Sequence, residues 1–379
     1  MNVLVLGSGL VGCPIAIDLA KDESFKVTVV DFSKKSLDKI PGEMPIIKIE
    51  KDLSNPRELK ALLKDNEIVL NAVPGFMGYN ILKKIISTGK NVVDISFFPE
   101  NPFDLDNLAK QNNVTAVVDC GVAPGMSNLL AGYVDSILDK TETILIYVGG
   151  LPVIREYPYE YKAGFSPIDV IEEYTRASRY IENGKMVIRP ALSDPELINF
   201  PEIGTLEAFN SDGLRTLATT LNATNMKEKT LRYPGHIEKI LILRESGFFS
   251  KNEIDLNGIK INPIDFTSKL LFPLWELKEG DEEFTIMKII IEGEREKLKV
   301  RYTYDLLDQH DYATNTHSMA RTTGYTATTV LRMLAKGLFY RKGICPPEYI
   351  GQKHECTEYA LKRLSEMGIK YKLKIETLE

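Results

Sequence analysis

Val3-Leu4-Val5-Leu6 runs directly into Gly7-Ser8-Gly9-Leu10-Val11-Gly12, and Asp31 follows nineteen residues after the last of these glycines. A continuous apolar run of this length reads as a strand buried on both faces. In a GxGxxG that leaves such a strand and opens a helix, the first glycine permits the tight turn. The second lets a pyrophosphate approach the backbone, and the third lets helix and strand pack closely with the helix N-terminus facing the anion. A carboxylate at position 31, closing the second strand beside Phe32, accepts hydrogen bonds from both ribose hydroxyls and repels a 2′-phosphate. This selects NAD over NADP, although Lys34 and Lys35 stand close enough to tolerate a phosphate.

The first third repeats this alternation. Val3–Leu6, Val27–Val30, Ile46–Ile49, Ile68–Leu70, Val92–Val93 and Val114–Val118 are consecutive apolar runs, separated by helical stretches such as Pro14–Lys21 and Pro56–Lys64. Alternating buried strands and helices imply a parallel sheet, here a doubly wound α/β sheet of the Rossmann type. A dinucleotide lies across the carboxyl edge of such a sheet. The residues expected there are Gly7, Ser8, Gly9, Leu10, Val11, Gly12, Asp31 and Phe32, then Asp52 and Leu53, Ala72, Val73 and Pro74, Ser96, and Gly121. Asp94 and Asp119 end the fifth and sixth strands and reach towards the nicotinamide.

The texture changes after about residue 125. Thr143–Val148, Phe284–Glu292 and Lys297–Tyr304 are longer strands, the last two joined around Gly293. Asn257-Gly258, between Ile254/Leu256 and Ile259/Ile261, is a two-residue hairpin signature. This half reads as an α+β domain with a mainly antiparallel sheet. From about 316 the pattern is helical again, with Met319–Lys336 ending at Gly337 and a last helix at 354–366 after the Pro346-Pro347 break. The expected organisation is a dinucleotide-binding domain over 1–124, a substrate-binding and dimerisation domain over 125–315, and C-terminal helices over 316–379 returning to the first domain.

Composition narrows the partners. Forty-seven basic residues against 53 acidic give a net charge of −6, with no basic stripe, so nucleic acid is not an expected partner. No apolar run reaches the roughly 18 residues a spanning helix needs, and no secretory leader precedes the first strand, so no membrane is expected. Four scattered cysteines (Cys13, Cys120, Cys345, Cys356) without a CxxC pair suit a reducing cytoplasm. The four histidines are equally dispersed, and no metal site is expected.

At Gly121-Val122-Ala123-Pro124-Gly125-Met126-Ser127-Asn128 the chain resembles the saccharopine dehydrogenase-like family. Tyr147–Pro152, Glu207-Ala208-Phe209, Lys229–His236 and Gly343–Glu348 carry the same resemblance, which covers essentially the whole sequence. It implies a Rossmann domain completed by the C-terminal helices, a middle α+β domain that holds the substrate and builds a homodimer, and an amino acid as small-molecule substrate. Chain length implies the members that oxidatively deaminate the ε-amino group of L-lysine with NAD⁺, giving ammonia and a 6-semialdehyde that cyclises. Saccharopine- and carboxynorspermidine-type oxidoreductases are the alternatives, and a non-catalytic NAD-binding sensor is a third.

Hydride leaves a carbon next to nitrogen only when the nitrogen lone pair is free. With an ammonium pKa of about 10.4, deprotonation at pH 7 costs about 4.6 kcal/mol, so a base and a dry pocket are needed. His236, after a Tyr-Pro-Gly turn, is the first candidate base, with Asp94 and Asp119 as competitors. Arg215 is placed to grip a carboxylate bidentately, with Arg232 as the second choice. Tyr161, Phe165 and Ser166 lie on a polar-aromatic loop suited to cover a substrate.

Overall fold

The computed structural model describes residues 1–278 and 280–378. The chain divides into two compact units, one of residues 1–138 and 320–371, the other of 139–319 and 372–379.

The first unit is built on a parallel sheet. Its strands β1 (Asn2–Leu6), β2 (Lys26–Asp31), β3 (Ile46–Glu50), β4 (Ile68–Asn71), β5 (Asn91–Asp94) and β6 (Thr115–Val117) realise all six expected apolar runs. A later strand, Gly343–Cys345, adds to the edge, giving the order Gly343–Cys345, β6, β5, β4, β1, β2, β3. From β1 the chain winds out through β2 to β3, then crosses back to β4 on the other side of β1. The strand order therefore reverses between β1 and β4, where this class of sheet leaves a crevice for its ligand. Leu4, Leu6, Val69, Val92, Ala116 and Ile344 form part of one buried core with Leu82 and Ile85 of the helix Gly75–Ser87.

The C-terminal segment is tied in by charge and by close backbone packing. Arg332, on the helix Ser318–Ala335, donates to the Asp18 carboxylate at 2.7 Å, and both side chains are only 3 % exposed. A Cβ on Gly132 would meet the Glu348 backbone, and one on Gly351 would meet the Leu129 backbone. Glycine at both positions lets the short helix Pro347–Gly351 lie directly on the helix Met126–Ile137.

The second unit holds a nine-stranded sheet. Its strands are β7 (Lys140–Pro152), β8 (Ser178–Glu182), β9 (Lys185–Arg189), β10 (Glu196–Phe200), β11 (Gly204–Asn210), β12 (Asn225–Arg232) and, after a separate exposed hairpin of β13 (Ile254–Leu256) and β14 (Ile259–Ile261), β15 (Glu283–Arg295) and β16 (Leu298–Gln309). The final strand, Lys372–Thr377, pairs with β16. Only β7 and β12 run parallel, so the sheet is mainly antiparallel. The helices Pro167–Thr175, His236–Glu245 and Pro263–Trp275 contribute Tyr174, Ile237, Ile240, Leu271 and Trp275 to one buried core with Tyr161 and Phe209.

Three expectations are corrected. The β15–β16 hairpin turns at Glu296-Lys297, both at positive φ (54° and 68°), and not at Gly293. Gly293 stays in the strand, opposite an irregularity where β7 carries one extra residue. Residues 316–379 do not all return to the first unit, because the Lys-Leu-Lys-Ile alternation of Lys372–Ile375 is a strand pattern that extends the second sheet. Gly343–Cys345, three buried residues after Arg341-Lys342, pairs with β6 where a helical tail is expected, its main chain completing the β6 edge. The Asn257-Gly258 turn is as expected, with φ of 55° and 85° at its two residues.

Candidate active site

The glycine turn has the shape its spacing demands. Gly7 has φ +94°, and a Cβ there would lie 2.6 Å from the Ala72 carbonyl oxygen. A Cβ on Gly12 would run into the Gly7 carbonyl, while one on Gly9 would meet nothing within 4 Å. Two glycines are thus needed by the protein itself. The third, with open space over its Cα, has room for something else, and a pyrophosphate fits there. Ser8 is buried behind the turn, Leu10 is exposed and Val11 half-buried.

Asp31 ends β2 with its carboxylate 8 % exposed. Oδ2 accepts from the Ser8 amide at 2.7 Å and Oδ1 from the Ser33 amide at 2.8 Å. The acid therefore fixes the glycine turn to the start of the next loop, and each oxygen keeps a lone pair for a sugar hydroxyl. Phe32 beside it is 75 % exposed. Asp52 turns its carboxylate onto the Ser54 amide and hydroxyl, both at 2.8 Å, and these bonds hold it below the usual carboxylate range despite a small opposing effect of burial. Leu53 and Val73 are buried in the core, and Ala72 is locked beside Gly7 by its amide bond to Leu6. Pro74 caps the helix Gly75–Ser87.

Asp94, at the end of β5, is fully buried. Asn71 Nδ2 donates to its Oδ2 at 2.6 Å, the Ser96 amide donates to Oδ1 at 2.7 Å, and the Ser96 hydroxyl donates to the same oxygen. Burial pushes this carboxyl up to about 7, against the pull of those three bonds and with a small addition from Asp119. Asn71 Oδ1 is buried without a hydrogen-bond partner among the described residues. Asp119 is buried at φ +53°, and Cys120 donates its amide to the Asp94 carbonyl. Burial raises the Cys120 thiol far beyond the neutral range, so it is an inert core residue. Gly121 takes its amide to the Pro124 carbonyl. Asp94, Ser96, Asp119 and Gly121 are thus gathered at one end of the sheet.

In the second unit the structure collects a different group. Arg232, 2 % exposed, has its guanidinium 4.4 Å from the Tyr161 ring centroid, donates to the Tyr174 hydroxyl at 3.2 Å and pairs with Glu173 at 2.8 Å. His236 lies beside them with both ring nitrogens engaged: Nδ1 with the Tyr159 carbonyl at 2.8 Å and Nε2 with the Tyr174 hydroxyl at 2.9 Å. Burial, and then the Arg232 charge, push its pKa down to about 3. It is a neutral imidazole fixed in an aromatic core, not a histidine poised near neutrality. Tyr161 is 3 % exposed and belongs to the same core as Trp275. Phe165 and Ser166 are half-buried at the start of the helix Pro167–Thr175.

Arg215 stands apart from this core, 7 % exposed and at φ +50°. Arg179 holds the same loop through Asp212, at 2.9 and 2.8 Å. Glu228, on β12, accepts from the Ser211 hydroxyl at 2.6 Å, and burial raises it to about 8. Sequence reasoning missed Glu173, Tyr174 and Glu228. The alternation Met226, Glu228, Thr230, Arg232, in which two charged residues share a face with buried ones, is the signal that could have found Glu228. Among the described residues no group of three or more His, Cys, Asp or Glu side chains is placed to hold a metal, and no helix is long and apolar enough to cross a membrane.

Residues 3–117 match the family model described as the saccharopine dehydrogenase NADP binding domain, and residues 121–369 match the saccharopine dehydrogenase C-terminal domain. The chain belongs to the saccharopine dehydrogenase family. Its first unit accordingly takes a nicotinamide dinucleotide, and the turn at Gly7–Gly12 is where the residues fit one. Among relatives, the chain is 28 % identical over 268 residues to the saccharopine dehydrogenase [NADP(+), L-glutamate-forming] of Pyricularia oryzae, covering 66 % of this chain and 59 % of that one. It is 27 % identical over 284 residues to the bovine mitochondrial alpha-aminoadipic semialdehyde synthase, covering 71 % and 31 %. The match thus spans less than two thirds of these relatives' own length. The carboxynorspermidine synthase of Vibrio cholerae is 21 % identical over 382 residues, 91 % of each chain. The apo saccharopine dehydrogenase (L-Glu forming) of Saccharomyces cerevisiae shares the fold, with a TM-score of 0.79 at 20 % identity over 100 % of both chains.

For this family member the shared motifs explain themselves as packing. Asn128 Oδ1 accepts from the Gly125 amide at 3.2 Å, and its Nδ2 reaches Glu348 at 3.3 Å. The Gly121–Asn128 and Gly343–Glu348 stretches are therefore two halves of one contact.

Proposed function

We propose that this chain is an NAD-dependent amine dehydrogenase that oxidatively deaminates the ε-amino group of L-lysine, releasing ammonia and a 6-semialdehyde that cyclises. The observation that carries the dehydrogenase reading is the glycine turn, with open space over Gly9 and the Asp31 carboxylate beside it. Asp31 favours NAD, since a 2′-phosphate would face a buried carboxylate. Substrate choice rests on the family resemblance of the motifs. The names of the relatives favour a second reading, a saccharopine- or carboxynorspermidine-type oxidoreductase.

When bound, the nicotinamide ring accepts the hydride. The protein's task is to bind the amino acid, exclude water and hold a proton. Asp94 is the preferred proton-transfer group, because a buried carboxyl pushed up to about 7 can take a proton at Oδ2 or Oδ1 near the working pH. Asp119 remains its neighbour and competitor. His236, pushed down to about 3 with both nitrogens engaged, is the poorer base. Arg215 is the carboxylate clamp in this reading. Arg232 is already paired with Glu173 and stacked on Tyr161, while Phe165 and Ser166 immediately precede the helix Pro167–Thr175. The active form is a homodimer, which sedimentation velocity tests directly.

The deciding experiment supplies NAD⁺ with L-lysine or with saccharopine and follows NADH. Lysine turnover with ammonia and without glutamate supports the first reading, and turnover on saccharopine alone supports the second. NAD⁺ binding with no turnover on any amine leaves a cofactor sensor. Parallel assays with NADP⁺ test the cofactor preference.

A further inference from the structure

The nine-stranded sheet ends on its final strand, Lys372–Thr377, whose inner neighbour is β16. In an antiparallel pair, residues directly opposite one another alternate between those that exchange both backbone hydrogen bonds and those that exchange none. Val300 lies opposite Thr377, and the Leu378 amide donates to the Lys299 carbonyl at 2.8 Å. The bonded opposites are therefore Lys299 and Leu378, Arg301 and Glu376, Thr303 and Lys374, and Asp305 and Lys372. Leu373, Ile375 and Thr377 direct their N–H and C=O groups away from β16, to a side where the sheet has no further strand among the described residues. An edge of this kind is a template for pairing with another chain.

The side chains are incomplete at the same place. Ile289 and Ile291 of β15 lie opposite Tyr304 and Tyr302 of β16, and these lie opposite Leu373 and Ile375. The two isoleucines and two tyrosines of this row are buried, whereas Leu373 is 47 % and Ile375 54 % exposed. The cover thus runs out at the last strand. The other side of that strand carries Lys372, Lys374 and Glu376. A second copy related by a two-fold axis must bring outward-pointing backbone groups opposite one another, which leaves few registers. Centred on Leu373, Lys374 or Glu376, the pairing sets like charges directly opposite, which is unfavourable. Centred on Ile375, it sets Ile375 against its own copy, Leu373 against Thr377, and Lys374 against Glu376 on both sides of the axis. Backbone direction, apolar cover and charge all agree on that register.

We infer that the outer edge of Lys372–Thr377 is an interface between two copies of this chain, paired antiparallel about Ile375 so that two nine-stranded sheets become one. The inference rests on the homodimer reading and names the strand that makes the dimer. Within one chain Lys374 already pairs with Glu376 at 2.8 Å. Across the axis each of these charges gains a second neighbour of opposite sign, and the half-exposed Leu373 and Ile375 gain the cover they lack.

Sedimentation velocity and cross-linking of the full chain make the test. The four native cysteines are buried, so a cysteine placed on the edge reports on its own position. In the inferred register the two copies of residue 375 are bonded opposites with Cα atoms about 5.5 Å apart, within disulfide range. Ile375→Cys with copper–phenanthroline and air is expected to give a covalent dimer. Leu373→Cys is not, because its copy lies four residues along the strand, about 14 Å away. Ile375→Pro removes an outward N–H that β16 does not use, so the strand stays in its sheet while the dimer dissociates. Lys374→Glu faces Glu376 with a like charge twice and raises the dimer Kd about 10- to 100-fold; Lys374→Glu with Glu376→Lys restores it. The charge variants decide the matter if the proline variant fails to fold. A parent that sediments as a dimer, does not cross-link through Ile375→Cys and stays dimeric in the variants overturns this interface and leaves the homodimer standing. A monomeric parent overturns both.

Discussion

Replacing Gly9 and Gly12 by alanine, one at a time, should separate two demands that a single motif conceals. At Gly12 the new methyl group runs into the Gly7 carbonyl, with Ala72 Cβ at 3.6 Å behind it. The turn must move, at the roughly 1–3 kcal/mol typical of an overpacked site, and the melting temperature should fall by about 2–4 °C for each kcal/mol lost. At Gly9 the methyl group meets nothing within 4 Å and φ is not in the left-handed region, so the protein without ligand should be unchanged or about 0.4–1 kcal/mol more stable through its unfolded state. The cost appears only when a phosphate needs that space. Pushing the pyrophosphate off one backbone amide loses a charge-assisted hydrogen bond of about 1.5–3 kcal/mol, or about 10- to 150-fold in Kd. Calorimetric titration with NAD⁺ and thermal melts of both variants make the measurement. Gly9→Ala binding NAD⁺ within about threefold of the parent would refute the placement of the pyrophosphate at this turn.

Asp31→Asn keeps an acceptor for the Ser8 or Ser33 amide but removes the charge, so the ratio of NADP⁺ to NAD⁺ dissociation constants should fall by about tenfold or more; an unchanged ratio removes Asp31 from cofactor selection. His236 contributes stability that is fully present above its unfolded pKa of about 6.5 and is lost as the pH falls towards its folded value of about 3, because the unfolded chain binds the proton first. Between pH 7 and pH 5 this amounts to about 2 kcal/mol, so urea melts of His236→Gln should show a correspondingly smaller drop over that interval than the parent. Arg332→Met leaves the buried Asp18 charge only its longer pair with Arg363, at 3.7 Å, and should cost about 3 kcal/mol in a urea melt, whereas pairing it with Asp18→Asn should restore most of the loss.

Much of the cofactor half was legible because its chemistry is local. A glycine that must sit at φ +94°, or a helix that must start against a carbonyl, leaves a mark within a few residues of sequence. The strands of that half are buried on both faces, so their apolar runs are continuous and hard to mistake. The hairpin at Asn257-Gly258 was equally plain, since both residues adopt positive φ. The β15–β16 turn was displaced because Glu296-Lys297 takes up the same backbone geometry without any residue that advertises it.

The second unit, and the ionisable groups of both units, were less legible, because burial there is decided by distant partners. His236 reads as a free histidine after a turn, yet Tyr159, Tyr174 and Arg232 come from three other segments to fix it as a neutral imidazole. Asp94 reads as an ordinary strand-end acid, and only the low-dielectric edge of the assembled sheet pushes it up to about 7. By itself the sequence determined the doubly wound sheet, its glycine turn and the carboxylate that closes the second strand, because those depend on backbone constraints between near neighbours. Tertiary structure alone decided which titratable groups are charged, which arginines are already paired, and where the last strand goes. Desolvation and Coulomb energies depend on what is near in space, and that is fixed only when segments far apart in the chain close around the same point.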